Sequence, residues 1–315
     1  MPKWIRVRIT KERGMNLDNA PSDSADLPRI SLVTPSFNQA AFLRATLDSV
    51  LSQGYPNLQY TVVDGLSTDG SIDLIERYRD RIRATGGRIL IEKDCGQTHA
   101  LNKGAALADG EVLCYLNSDD TLTPGALHRV GKWFRDHPND VWAVGDCVTI
   151  DAEGQPMNKL RADPPADLSQ ALIRVPSFEM PQPSVFWRRR LMDEVGGFDE
   201  ALRYIMDFDL WCRLLAAGHR PVKIDAVLSC YRMHGASKTC SQAAGFLREH
   251  RVVERRYARH LSLPQRLRLW RMMDYRHRLA VVNQHPDRGA LLRALARRPW
   301  WAASGLIRTA LAQAA

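Results

Sequence analysis

EVLCYLNSDD, residues 111–120, is a short apolar run that ends in a turn of oxygen-bearing side chains. Its first half has the length and continuity of a strand buried on both faces. Its second half, Asn117, Ser118, Asp119 and Asp120, offers hard oxygen donors of the kind that hold a divalent cation carrying phosphates. Upstream the design recurs as ISLVTP at 30–35, LQYTVVDG at 58–65 and RILIEKD at 88–94. Stretches of helical period separate these runs. Asn38 is placed to cap the first helix, which aligns Phe42, Leu43, Leu47, Val50 and Leu51 on one face. The second starts near Asp69 and turns Ile72, Ile75 and Tyr78 inward. A third covers about 98–108, and a fourth starts from Thr123 with Pro124 in its first turn. This alternation predicts an α/β fold: a Rossmann-like, mainly parallel sheet with helices on both faces.

Past residue 140 the rhythm loosens. VWAVGDCVTID and SVFWRR read as strands, and the Pro-rich stretch 155–183 between them as a long surface segment. A short helix over 189–195 stops at Gly196-Gly197, residues 207–217 form another helix, and 222–232 a further strand. The expected organisation is a poorly ordered leader over 1–28 with a short strand at Ile5–Ile9. A main domain over 29–240 follows, with halves 29–120 and 121–240, and then a helical extension over 241–315.

Composition narrows the function. The chain of 315 residues is 45% apolar and 25% charged, which excludes fibrous and wholly disordered classes. No apolar run is long enough to span a bilayer, and the N-terminus lacks the apolar core of a secretory signal. Six scattered cysteines without metal spacing suit a reducing cytoplasm. The net charge of +9 is unevenly placed: residues 245–315 carry 15 basic against 4 acidic side chains, and the rest is close to neutral. A GxGxxG fingerprint and a Walker loop are both missing, which argues against dinucleotide enzymes and P-loop NTPases.

Ligands of open α/β sheets bind at the carboxyl ends of the strands. Asp64, Asp94, Asp119 and Asp120 all fall at such ends. With strands about 4.8 Å apart, neighbouring ends gather these carboxylates within roughly 10–15 Å. Like charges so close are offset by a bound cation or a hydrogen-bonding ligand.

Six ordered motifs resemble family 2 inverting glycosyltransferases of the GT-A fold, over about residues 29–235. TPSFN (34–38) is similar to a PxYN opening, with Phe37 at the Tyr position. VVDGLSTDGS (62–71) resembles VVDDGSTDGT, with Gly65 where a second Asp is usual. EKDCGQTHALNKG (92–104) resembles an ExDxGQxxALNKG branch. LNSDD (116–120) resembles the DXD region, with Asn117 for its first Asp. GGFDEALRYIMDFDLWCRL (196–214) resembles the acceptor-side segment with the catalytic acid, and YRMHGASKT (231–239) an RxHxxS segment.

That resemblance implies a metal-dependent inverting transfer of a sugar from a UDP-, GDP- or dTDP-sugar to a hydroxyl of a glycan or polyprenyl-linked acceptor. Residues 29–120 become the donor half and 121–240 the acceptor half. The donor set it implies is Thr34, Phe37, Asn38, Asp64, Asp94, Gln97, Asn102, Lys103, Asn117, Ser118 and Asp119. Mn²⁺ or Mg²⁺ falls to Asp119, Asp120 and His234, and Asn117 leaves the ligand within 117–120 open. Asp207 is the expected general base, with Asp209 as the alternative. A helix N-terminus lowers the pKa of Asp207, and burial in a cleft opposes that. A non-catalytic nucleotide-sugar-binding module of the same fold is the competing reading, supported by Gly65 and Asn117. A nucleotidyltransferase of related fold needs a Gly- and Lys/Arg-rich loop after the first strand, and TPSFNQAAF has none.

Arginines interleaved with leucines and tryptophans in the extension, including Trp270, Trp300 and Trp301, suit an anionic membrane surface. The expected location is cytoplasmic, peripheral on the inner face of the membrane. No nucleic-acid motif supports that alternative use of the charge.

Overall fold

The computed structural model describes residues 26–174, 180–235, 237, 243–284 and 292. Most of the expected leader, its strand at Ile5–Ile9, and Trp300 and Trp301 lie outside them. The leader's last residues are ordered: Leu27 is buried and its carbonyl accepts from Asn57 Nδ2 at 2.7 Å. The chain divides into two units, one ending at Gln242 and one starting at Ala243.

In the first unit, β1 (Ile30–Ser36), β2 (Leu58–Asp64) and β4 (Val112–Tyr115) are buried along their whole length, as continuous apolar runs require. With β3 (Ile89–Ile91) they form four parallel strands in the order β3-β2-β1-β4. The chain steps outward from β1 to β3, then returns to the other side of β1. That reversal leaves a crevice at the carboxyl ends of β1 and β4, the preferred ligand position in open sheets. The helix α1 (Ala40–Leu51) buries Leu43, Leu47 and Val50, each contributing about 1.5–3 kcal/mol. Asn38 is not its cap. At φ 52° its carboxamide turns away and accepts from Thr68 N at 2.8 Å. The loop after β2 caps α1 instead: Asp69 Oδ2 accepts from Ala40 N at 2.8 Å and Ser71 Oγ from Gln39 N at 3.1 Å. Short helices α2 (Ser71–Arg77) and α3 (Arg79–Ala84) lead to β3, and α4 (Gln97–Ala106) connects β3 to β4.

After β5 (Thr121–Leu122) and α5 (Ala126–Asp136) the sheet becomes mixed. Strand β6 (Trp142–Ile150) pairs parallel with β9 (Val222–Arg232), while β8 (Val185–Arg188) runs antiparallel between β4 and β6. The Pro-rich stretch is more ordered than its composition suggested. It holds β7 (Pro156–Leu160), paired to β6, and α6 (Leu168–Arg174), which buries Ala171 and Leu172. Then α7 (Arg190–Val195) ends at Gly196 in the left-handed conformation, as expected, and α8 (Met206–Ala216) follows.

In the second unit, α9 (Ala243–Ala258) and α10 (Leu263–Gln284) carry nine arginines against three acids. Val253, Tyr257, Leu261 and Leu269 are buried, whereas Leu263, Leu267 and Trp270 are exposed. No helix among the described residues is long and apolar enough to cross a membrane.

Candidate active site

The turn after β4 is closed by Asp120 N donating to Asn117 O at 3.1 Å. Two other elements hold it. Thr46 Oγ1 of α1 donates to Asp120 O at 2.7 Å. From β9, Arg232 N donates to Asp120 Oδ1 and Arg232 Nε to Asp119 O, each at 2.9 Å. Asp120 is fully buried, and Asn117 Nδ2 lies 3.3 Å from its Oδ2. Burial pushes its pKa well above the usual carboxylate range, and the adjacent Asp119 carboxylate adds to the rise. Asp120, expected as a metal ligand, is a strut inside the turn with both oxygens engaged.

Asp119 is the member that reaches outward. Its Oδ2 meets His234 Nε2 at 3.0 Å, across 115 residues of sequence. The His234 ring packs on Phe42 at 4.4 Å between centroids, and the Arg232 guanidinium sits 5.2 Å above the same Phe42 ring. Two cis ligands held at about 2.1 Å from an octahedral ion stand roughly 3 Å apart. The pair therefore has the donor types and the spacing to share Mn²⁺ or Mg²⁺. No cluster of three His, Cys, Asp or Glu forms among the described residues, so the remaining ligands would be phosphate oxygens and water.

At the end of β2, Asp64 is fully buried and grips its own loop: Oδ1 accepts from Ser67 N at 2.7 Å and Oδ2 from Ser67 Oγ at 2.8 Å. Those bonds hold Leu66 at φ 66°, a conformation that costs a non-glycine residue about 1–2 kcal/mol. Asp94 lies close to position 65. A Cβ there would lie 2.6 Å from Asp94 Oδ2, while Asp94 Oδ1 is occupied by Gly96 N at 2.8 Å. The Asp94 carboxylate fills the space that a side chain at 65 would take.

The other expected residues fall into two groups. Phe37 is 59% exposed at the mouth of the crevice, and Asn38 holds the 67–68 loop beside it. Gln97 Nε2 donates to Asn117 Oδ1 at 2.7 Å, and Ser118 is buried in the turn. Thr34, by contrast, is fully buried with its hydroxyl accepting from Tyr60 OH at 3.0 Å. Lys103 pairs with Glu92 at 2.9 Å and donates to Lys93 O. Asn102 bonds the backbone of Phe198. Thr34, Lys103 and Asn102 thus have protein partners where nucleotide contacts were expected.

Asp207 lies in the first turn of α8, and Phe208 N donates to its Oδ1 at 2.7 Å. Its charge reaches the β4 end: burial raises the Tyr115 phenol well above its ordinary value, and Asp207 and Asp120 raise it further. The alternative base, Asp209, is fully buried, with its Oδ2 on Arg213 Nε at 2.9 Å. A carboxylate sealed in an ion pair does not suit proton abstraction from a ligand. Sequence reasoning missed Arg232 as the strut of the turn. The signal was its spacing, since residues two apart at the end of a strand share a face, and Arg232 precedes His234 by two.

Several known proteins are similar to this chain. A PGL/p-HBAD biosynthesis glycosyltransferase of Mycobacterium bovis is 26% identical over 76% of this chain and 86% of its own. The crystal structure of Staphylococcus aureus TarS 1–349 with UDP-GlcNAc has a TM-score of 0.57 and 18% identity, covering 71% of this chain and 66% of that one. The mannosyltransferase PcManGT of Pyrobaculum calidifontis, in complex with GDP-Man and Mn²⁺, has a TM-score of 0.56 and 21% identity over 95% and 87%. Both structures share the fold. The model of glycosyl transferase family 2 matches residues 31–196, and with more than half of its length so accounted for, the chain belongs to that family of glycosyltransferases.

Proposed function

We propose that the protein moves a sugar from a nucleotide-sugar donor to a hydroxyl of a glycan or lipid-linked glycan, with inversion, using Mn²⁺ or Mg²⁺. The observation that carries this reading is the Asp119–His234 pair at the topological switch point, 3.0 Å apart. The UDP-GlcNAc and GDP-Man–Mn²⁺ complexes of the structural relatives support it. Exposed Phe37 offers an aromatic face to the base. Asp94 receives base and ribose, Asp64 holds the loop beside it through Ser67, and Gln97, Asn117 and Ser118 line the diphosphate side. Thr34 and Asp120 act from beneath, keeping β1 and the turn in place. The Asp94 carboxylate beside position 65 supports the catalytic reading over a non-catalytic module.

Asp207 takes the proton of the acceptor hydroxyl as that oxygen attacks C1. The bond from C1 to the diphosphate oxygen breaks on the opposite side, and the nucleoside diphosphate leaves with the electron pair. The divalent ion, when bound, offsets the charge growing on that leaving group. Asp119 and His234 hold the ion's site, and the chain otherwise contributes alignment.

Thermal stability measured with UDP, GDP and dTDP, each with and without Mn²⁺, tests the donor site. At about 100 times its Kd a bound nucleotide adds about 2.7 kcal/mol. Asp119→Asn and His234→Ala should each remove the Mn²⁺-dependent increment. No shift with any of the three nucleotides would overturn the reading.

A specific observation favours membrane association for the second unit. Leu263, Leu267 and Trp270 are exposed at i, i+4 and i+7, one apolar stripe on an arginine-rich helix. The protein should sediment at low salt with vesicles containing phosphatidylglycerol but not with phosphatidylcholine alone, and Trp270→Glu should weaken that binding. Indifference to the anionic vesicles would remove the membrane part.

A further inference from the structure

Helix α4 touches both sides of the proposed reaction. At its first residue, Gln97 holds Asn117 of the β4 turn. One residue on, Thr98 Oγ1 donates to Leu202 O at 2.6 Å in a buried contact. A full turn later Asn102 grips Phe198 from both sides: Nδ2 donates to Phe198 O at 2.9 Å and Oδ1 accepts from Phe198 N at 2.9 Å. Its second amide hydrogen goes to Glu200 Oε1 at 2.9 Å, so both donors of the carboxamide are committed within the protein. Thr98 and Asn102 are four apart and share one helix face. What that face holds is the connection between α7 and α8, whose last residues deliver Asp207.

The connection needs holding. It starts with Gly196 and Gly197 at φ 79° and 75°, two successive left-handed residues that give the chain wide freedom. Gly197 passes so near α4 that a Cβ on it would lie 3.1 Å from Asn102 Oδ1. From the far side Arg213 Nη1 of α8 donates to Val195 O and Gly197 O, each at 2.6 Å. Clamped at its start by α8 and along its length by α4, the connection has a fixed register against the β4 turn.

We infer that Thr98 and Asn102 are positioning residues: they set the Asp207 segment against the Asp119 turn, through a helix whose first residue already holds that turn. This rests on the reading of Asp207 as base, and it gives Asn102 a different role from the nucleotide contact its motif implied. A displacement of about 1 Å in a reacting group costs on the order of 100-fold in rate.

The test uses the full-length protein with Asn102→Ala, Thr98→Val and Thr98→Ser. Hydrogen exchange should speed up in peptides spanning 196–207 for the first two variants, with 64–71 and 115–120 unchanged. Stabilisation by UDP or GDP with Mn²⁺ should stay at the wild-type level. Release of nucleoside diphosphate from UDP-GlcNAc or GDP-mannose should fall about 10–100-fold in kcat at unchanged donor KM. Thr98→Ser, which keeps the hydroxyl, should restore both readouts. Weaker nucleotide binding with unchanged exchange over 196–207 would return Asn102 to the donor site and overturn the inference. So would wild-type exchange and kcat in both disruptive variants. The exchange arm reads the clamp whatever Asp207 does, so retained turnover in Asp207→Asn would remove the base reading alone.

Discussion

Asp207→Asn should lose about 10²–10⁴-fold in kcat while keeping the stabilisation by nucleoside diphosphate and Mn²⁺. Asparagine is nearly isosteric and retains an oxygen for Phe208 N, which now donates to Oδ1 at 2.7 Å, so the first turn of α8 should survive. Only the capacity to accept a proton is removed. On the proposed reading donor binding belongs to the strand ends of the parallel half, where the charge at 207 reaches the buried Tyr115 phenol. Initial rates with a hydroxyl acceptor, paired with a nucleotide melting curve, separate the two effects. Turnover within a few-fold of wild type would remove Asp207 from its role.

The largest loss of stability is expected for Arg213→Met. Asp209 is 0% exposed, and Arg213 spans it and the backbone of the α7–α8 connection. Methionine keeps much of the stem's packing and leaves the carboxylate without its guanidinium. Breaking one side of a buried pair costs about 3–5 kcal/mol. For a unit of this size that lowers Tm by roughly 6–20 °C. Adding Asp209→Leu should recover the part of the loss that lies in the stranded charge, leaving that of the two backbone bonds to Val195 and Gly197. A change near 1 kcal/mol, the scale of an exposed pair, would show that other groups carry the Asp209 charge.

Strands buried on both faces were the easiest elements to read, because ISLVTP, LQYTVVDG and VLCY are continuous apolar runs with turn residues at their ends. Their acidic ends followed directly. Elements whose identity depends on partners were harder. Strand β7 has Pro156 at its start and exposed side chains, and it exists because β6 offers a free edge. The place of β8 between β4 and β6 is a tertiary fact that SVFWRR cannot express. At the site, residue types were informative and pairings were not. Asp119 and Asp120 look equivalent in sequence, yet Arg232 and Asn117 draw one inward while His234 meets the other. Asp207 and Asp209 differ likewise, since only the latter has an arginine four residues on along its own helix. Asn38 looked like a helix cap, and Asp69 and Ser71 took that work from another loop.

The partnership of Asp119 with His234 has a consequence for biosynthesis. A chain still on the ribosome that has just completed β4 already holds Asp64, Asp94 and Asp119, but not the imidazole, nor the arginine that braces the turn. Closing so long a loop is entropically slow. The crevice is therefore finished only when β9 has docked, nearly at the end of the first unit. Until that docking, the Asp119 side of the crevice stands without its imidazole partner.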